Sequence, residues 1–237
     1  MAADEASIRA RIASVVDRMA GAENAAGRPA GSVRLVAVSK SFTVDVVRAA
    51  MACGLTLFGE NRAQELKEKA LVLGAAPDGP TWHFIGQLQT NKVRDVVGRA
   101  ELIHSVDRFG VAEAIAVRAQ RAGAVAEVLV QVNVGREASK GGIEPERAVA
   151  FAAEIDTLEG LRVRGLMTIP PGGGGPDAAR PYFAELAGLG SRLTAVLPDA
   201  TELSMGMSDD LEVAIAEGAT LVRVGRALFG NRGGPGG

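Results

Sequence analysis

A chain of 237 residues with 47% hydrophobic and 23% charged side chains has the apolar material for one α/β barrel or two small domains. Its formal net charge of -2 excludes the strong basic excess of a nucleic-acid-binding surface. The single cysteine, Cys53, excludes an internal disulfide and a CxxC zinc site; beside Met51 on an apolar helix face, it reads as a packed core thiol.

The N-terminal Met1-Ala-Ala-Asp-Glu5 is acidic and lacks an apolar run, so no signal peptide is expected. No stretch is apolar for long enough to cross a bilayer, and the expected location is cytoplasmic. Ile8, Ile12, Val15, Val16 and Met19 recur at helical spacing and predict an opening helix outside the repeating unit, broken at Gly27–Gly31. Val33-Arg-Leu-Val-Ala-Val-Ser39 is a short valine-rich run that reads as a strand buried on both faces, with Lys40 where the strand gives out. A helix is predicted from Thr43 to Cys53, with Thr43 as its cap and Gly54 as its end. Strand Leu55–Phe58 then leads through Gly59-Glu60-Asn61-Arg62 into a helix over Ala63–Leu73.

The alternation continues with strand Trp82–Ile85, a short helix Lys92–Val97, strand Glu101–Ser105, helix Arg108–Arg121 and strand Glu127–Val134. After a polar loop come helix Pro145–Leu158, strand Leu161–Ile169, a glycine-rich loop Pro170–Pro176 and helix Ala178–Val196. Strand Glu202–Ser204, helix Asp209–Glu217 and strand Leu221–Val224 complete the series. About eight strands alternating with helices in this length predict a single (β/α)8 TIM-type barrel with an extra N-terminal helix. Residues 1–30 are expected to be a helix and turn packing on the barrel, 31–231 the barrel, and 232–237 a disordered tail. An open doubly wound sheet is the runner-up; the absence of GxGxxG after the first strand counts against a dinucleotide-binding version.

In such a barrel the C-terminal strand ends share one mouth. The polar groups there are Lys40, Asn61, His83 with Gln87, His104 with Ser105, Asn133, Met167 with Thr168, the loop Ser204-Met205-Gly-Met-Ser208, and Arg223 with Gly225. Lys40 reads either as a desolvated amine for a Schiff base with an aldehyde or as a snorkelling strand-end lysine. His83 and His104 lie within apolar strands and read first as satisfied interior histidines. The glycine-bearing turns after strands seven and eight, with the Ser208 hydroxyl, suit a phosphate. An amine-reactive aldehyde and a phosphate on one ligand describe pyridoxal 5'-phosphate (PLP). Arg223 is then placed to donate to its ring nitrogen, which leaves the ring a weaker electron sink than an aspartate partner would.

The motifs Leu35-Val-Ala-Val-Ser-Lys40, Phe58-Gly-Glu-Asn-Arg-Ala-Gln64 and Trp82-His-Phe-Ile-Gly-Gln-Leu-Gln-Thr-Asn-Lys92 carry a resemblance. So do His104-Ser-Val-Asp107, Val132-Asn-Val to Ser139-Lys-Gly-Gly-Ile143, Gly165-Leu-Met-Thr-Ile169, Leu203-Ser-Met-Gly-Met-Ser-Asp209, and Arg223-Val-Gly to Gly230. From about residue 30 to 231 the chain resembles the pyridoxal phosphate homeostasis proteins, whose barrel is like the N-terminal domain of bacterial alanine racemases. The resemblance implies that Lys40 holds PLP as a Schiff base, Asn61 lies near the ring hydroxyl, Arg223 faces the ring nitrogen, and Ser208 and the Gly225 turn bind the phosphate. His83 and Met205, within matched motifs, and Arg226 complete the expected cofactor-binding set. Arg226 is a departure, because the family commonly has a small hydroxylated residue there.

The function so implied is intracellular PLP homeostasis without a dedicated reaction, with PLP-dependent apo-enzymes as candidate recipients and a monomer as the expected state. The alternative is a PLP-dependent amino-acid racemase. Two-base racemisation needs an acid–base group on each face of the ring; the single tyrosine, Tyr182, falls in the helix after strand six, and the barrel leaves no length for the second domain that supplies one in alanine racemases. A Schiff-base aldolase acting on a phosphorylated sugar is a third reading. Among the other lysines, Lys67 and Lys69 are expected on a solvated helix, and Lys92 and Lys140 in loops near the mouth.

Overall fold

Eight short β-prone runs pair edge to edge until the first meets the last. The structure, a computed structural model, describes residues 5–137 and 140–230. The strands are β1 (Arg34–Val38), β2 (Leu57–Glu60), β3 (Thr81–Phe84), β4 (Leu102–Val106), β5 (Ala126–Val132), β6 (Leu161–Thr168), β7 (Glu202–Ser204) and β8 (Leu221–Val224). All neighbours are parallel and the order β1 to β8 closes into a barrel, with Ala37 opposite Phe58 of β2 on one side and Val224 of β8 on the other. The helices are α1 (Glu5–Ala25), α2 (Val44–Ala52), α3 (Ala63–Leu73), α4 (Val93–Val96), α5 (Phe109–Arg121), α6 (Ala148–Asp156), α7 (Arg180–Thr194), α8 (Leu211–Ala216) and α9 (Arg226–Phe229). The (β/α)8 expectation therefore holds, including the additional helix at the N-terminal end.

Strand periodicity of two sorts the side chains between the inside of the barrel and its helical sheath. Val36, Leu102, Leu129, Met167 and Leu221 form an interior cluster. The alternate residues Ala37, Phe58, Trp82, Phe84, Ile103, Val128 and Val222 belong to the larger cluster beneath the helices. Both sets are almost fully buried, which is why the strands read as continuous apolar runs.

Helix α1 packs on α8, α9 and α2 through Ile8, Ile12, Val15 and Met19, all buried. It is also tied by polar contacts. The Glu23 carboxylate accepts N–H groups from Gly31 (3.0 Å) and Val33 (2.8 Å), fixing the entry into β1. The Arg28 guanidinium donates to the carbonyls of Ile215 (3.0 Å) and Ala219 (2.7 Å) at the end of α8.

Several local expectations are corrected. Thr43 occupies the N-cap position of α2 but makes no side-chain capping bond. The helices predicted from Pro145 and Ala178 open as 3-10 turns, Pro145–Arg147 and Pro176–Ala179, before α6 and α7 begin. The helix predicted from Asp209 starts only at Leu211, because the Asp210 carboxylate accepts the Met207 N–H (2.6 Å) and holds the preceding turn. Cys53, by contrast, packs against the core as expected, half-buried at the end of α2 with its thiol towards the Glu5 carbonyl at 3.7 Å. Lys69 is not solvated: it is 4% exposed and lies 2.6 Å from the buried Glu60 carboxylate. The disordered tail expected at 232–237 lies outside the described residues.

Candidate functional site

One cavity of about 660 Å³ opens at the C-terminal strand ends. Most strands deliver side chains from their C-terminal ends or the turns that follow, so residues far apart in sequence converge. Lys40 comes from the turn after β1, Asn61 from the turn after β2, Gln87 from beyond β3, Ser208 from the loop after β7, and Arg223, Gly225 and Arg226 from β8 and its turn; all line the wall.

Arg223 is the dominant electrostatic feature. It is 4% exposed and its guanidinium donates to two neutral acceptors, Ser204 Oγ (2.6 Å) and the Thr168 carbonyl (2.8 Å). Burial pushes its pKa down to about 10, with Asp210 acting in the opposite direction. A guanidinium has five N–H donors; two bonds leave donors for an acceptor in the cavity.

On the neighbouring strand, β1, which pairs with β8, Lys40 is partly buried in the turn that leads to α2. Asn61 is held by close packing: a Cβ on Gly86 would stand 2.0 Å from the Asn61 carbonyl oxygen, so only glycine allows the two turns to approach this closely. Ser105 donates its hydroxyl to the Gly86 carbonyl and pins this turn from β4.

The loops after β7 and β8 meet at Ser208, whose Oγ accepts the Ala227 N–H at 3.2 Å. A Cβ on Gly225 would lie 3.2 Å from the Val38 carbonyl oxygen, tighter than most packed neighbours, so the turn is drawn against β1. A hydroxyl and successive backbone N–H groups at such a turn suit a phosphate. The loop is braced from outside by Arg18 of α1, which donates to the Ser208 carbonyl (2.9 Å) and pairs with Glu212 (2.6 Å). Arg226 is exposed and ion-paired with Asp209 at the rim. It thus has a carboxylate partner on the protein itself.

His83 and Met205 are not among the residues that line the cavity. Met205 is fully buried in the sheath core, because the side chain that reaches the mouth from this loop is Met207. His83 points inward but lies one step short of the strand end, 0% exposed. Asn133 donates to the Glu137 carbonyl instead. Gln131 lines the cavity and was missed; its parity with Leu129, an inward residue of β5, is the signal that finds it. Of the alternative lysines, Lys140 lines the cavity, while Lys92 ends an exposed 3-10 turn away from its wall.

Beneath the cavity runs a directional hydrogen-bond chain. Arg223 can only donate, so Ser204 Oγ accepts from it (2.6 Å) and turns its own proton to His104 Nδ1 (2.8 Å). His104 then carries its proton on Nε2 and donates to His83 Nδ1 at 2.9 Å. That leaves the His83 proton on Nε2, buried without a hydrogen-bond partner among the described residues and 3.7 Å from Glu101 Oε1. Burial lowers the pKa of both histidines, that of His104 well below the ordinary value. Two neutral rings therefore fill the barrel and fix the orientation of Arg223. Among the described residues no group of three or more His, Cys, Asp or Glu side chains is arranged to hold a metal ion.

Residues 12–233 match the family model of the alanine racemase N-terminal domain. The chain is 44% identical over 226 residues to the pyridoxal phosphate homeostasis protein of Aquifex aeolicus, covering 94% of this chain and 97% of that one. It is likewise 44% identical to the protein of that name from Pseudomonas aeruginosa, covering 95% and 96% respectively. Among solved structures, PipY of Synechococcus elongatus with PLP bound superposes with a TM-score of 0.79 at 36% identity, over 94% of this chain and 100% of that one. Identity at this level across nearly the full length of both chains, on the same closed barrel, means that this protein belongs to the pyridoxal phosphate homeostasis family.

Proposed function

We propose that this chain binds PLP reversibly in the cavity at the barrel mouth and serves intracellular PLP homeostasis, without a dedicated reaction of its own. The observation that carries the reading is the convergence of three unlike groups on one wall: the amine of Lys40, the buried guanidinium of Arg223, and the Ser208–Ala227 turn. PLP needs one partner of each kind. When bound, it supplies an aldehyde that condenses reversibly with an amine. Lys40 is the residue to take it, Arg223 to donate to the ring nitrogen, Asn61 to meet the ring hydroxyl, and Ser208 with the Gly225 turn to hold the phosphate. Arg226 keeps Asp209 as its partner and shapes the rim. The PLP-binding unit in this reading is the barrel, on which helix α1 packs.

The PLP-bound PipY relative supports the choice of ligand. Tyr182 sits on α7, packed against the sheath, so it does not offer the second acid–base group of a two-base racemase. The protein is proposed to act as a cytoplasmic monomer that gives up PLP to apo-enzymes. No described helix is long and apolar enough to cross a membrane. The test is an absorbance titration of the purified protein with PLP, followed by borohydride reduction and peptide mapping. A visible-range band and an adduct on Lys40 are expected. An unchanged spectrum overturns the reading, and an adduct chiefly on Lys140 overturns the role of Lys40.

A further inference from the structure

The turn that carries Lys40 is held from outside the cavity by a buried polar cluster. Ser39, fully buried, donates its hydroxyl to Glu60 Oε1 at 2.6 Å. The Ser39 carbonyl accepts from Lys69 Nζ at 2.8 Å, and the same ammonium lies 2.6 Å from Glu60 Oε1 and 3.6 Å from Glu65 Oε2. Glu65 in turn accepts the Ser41 N–H at 2.6 Å. The residue before Lys40 and the residue after it are therefore both bonded to one cluster, two of whose members lie one turn apart on α3.

The cost of this cluster argues that it has a task. Burial pushes the Glu60 carboxyl up, against the pull of Lys69, and Glu60 Oε2 is buried without a hydrogen-bond partner among the described residues. A buried ion pair of this kind is often no more stabilising than apolar side chains of the same volume. The turn, meanwhile, is demanding. Ser41 has a φ of +66°, in the left-handed region that a non-glycine residue adopts only at a conformational cost. Without outside bonds, the turn would relax and the Lys40 side chain would sample other directions.

We infer that Lys69, Glu60 and Glu65 are positioning residues that fix the Ser39–Ser41 turn and so aim the Lys40 amine into the cavity. The inference rests on the proposed capture of PLP by Lys40. It predicts a selective defect. A ligand that needs the amine loses affinity when the cluster is broken, whereas a ligand held only by ring and phosphate contacts does not.

The experiment compares PLP with pyridoxine 5'-phosphate, which has an alcohol in place of the aldehyde, on the full chain. In Lys69→Met, PLP affinity is expected to fall about tenfold or more, as for loss of a charged hydrogen bond of about 1.4 kcal/mol or more. Pyridoxine 5'-phosphate affinity should change less than about twofold, and Lys69→Arg should recover part of the loss for PLP. Equal loss for the two ligands, or no loss for PLP, overturns the inference and assigns the cluster to the fold alone. If Lys69→Met does not fold, Glu65→Ala, which removes only the acceptor for the Ser41 N–H, decides by the same ratio. Failure of the parent protein to bind PLP overturns the functional reading and this inference with it. PLP binding by the parent with an unmoved ratio in the variants overturns the inference alone.

Discussion

Replacing Arg223 by Leu should separate ligand affinity from stability. The side chain is 4% exposed, and its partners among the described residues are two neutral acceptors, Ser204 Oγ at 2.6 Å and the Thr168 carbonyl at 2.8 Å. Its pKa, lowered to about 10 by burial, implies that holding the charge in the barrel costs on the order of 3 kcal/mol at neutral pH. The two hydrogen bonds from a charged donor return about 1.5–3 kcal/mol each. The opposing contributions are of similar size, so the unliganded variant should be within about 2 kcal/mol of the parent in urea denaturation. The ligand has no such compensation. A leucine leaves the ring nitrogen unpaired against an apolar wall, at about 1–3 kcal/mol, so PLP affinity should fall about tenfold to a hundredfold. Fluorescence titration with PLP, beside urea melts without it, reads both quantities. Affinity within twofold of the parent would refute the assigned role. A loss of stability far exceeding the loss of affinity would show that Arg223 serves the fold first.

Three further outcomes are expected. Burial holds the His83 and His104 pKa values below that of the unfolded chain, so the unfolded state binds more protons as pH falls below about 6.5; denaturation midpoints should drop from pH 7.5 to 5.5, and a His83→Gln/His104→Gln variant should lose much of that slope. Glu23→Ala removes the acceptor of the Gly31 and Val33 N–H groups and should cost about 1–3 kcal/mol in urea melts at pH 7. Because the Glu23 pKa is held down by those N–H bonds and the Ser32 hydroxyl against the opposing effect of burial, its contribution is present above the ordinary carboxylate value and fades as pH falls through the lowered one. A parent-like melt for Glu23→Ala would remove that contact from the account. PLP-loaded protein incubated with L-alanine should racemise it far below the typical enzyme rate of about 10 per second, since Tyr182 lies on α7; chiral chromatography showing turnover near that rate would make the chain a racemase.

Much of the site was legible because barrel topology turns strand ends into neighbours. Lys40, Asn61, Ser208, Arg223, Gly225 and Arg226 each follow or end a recognisable strand, and all reach the cavity. His83 and Met205 share motifs with true wall residues, yet motif membership does not specify depth. One residue along a strand exchanges the interior for the sheath, and one step towards the mouth exchanges the packed interior for the cavity. Gln131 shows the converse, since only the inward parity of Leu129 on the same strand places it at the wall.

Local sequence, through apolar periodicity and turn residues, was enough to determine the eight-strand alternation, the opening helix and the set of strand-end groups. These depend on neighbours a few residues apart. Tertiary structure alone decided the surroundings of Lys69. On its helix this lysine looks solvated, and only closure of β1 against β2 brings Ser39 and Glu60 over it. It also decided that Arg223, Ser204, His104 and His83 form one directional chain, because these four side chains come from four different strands. A buried charge is set by what packs around it in three dimensions, and chain-local spacing carries no record of partners supplied by distant strands.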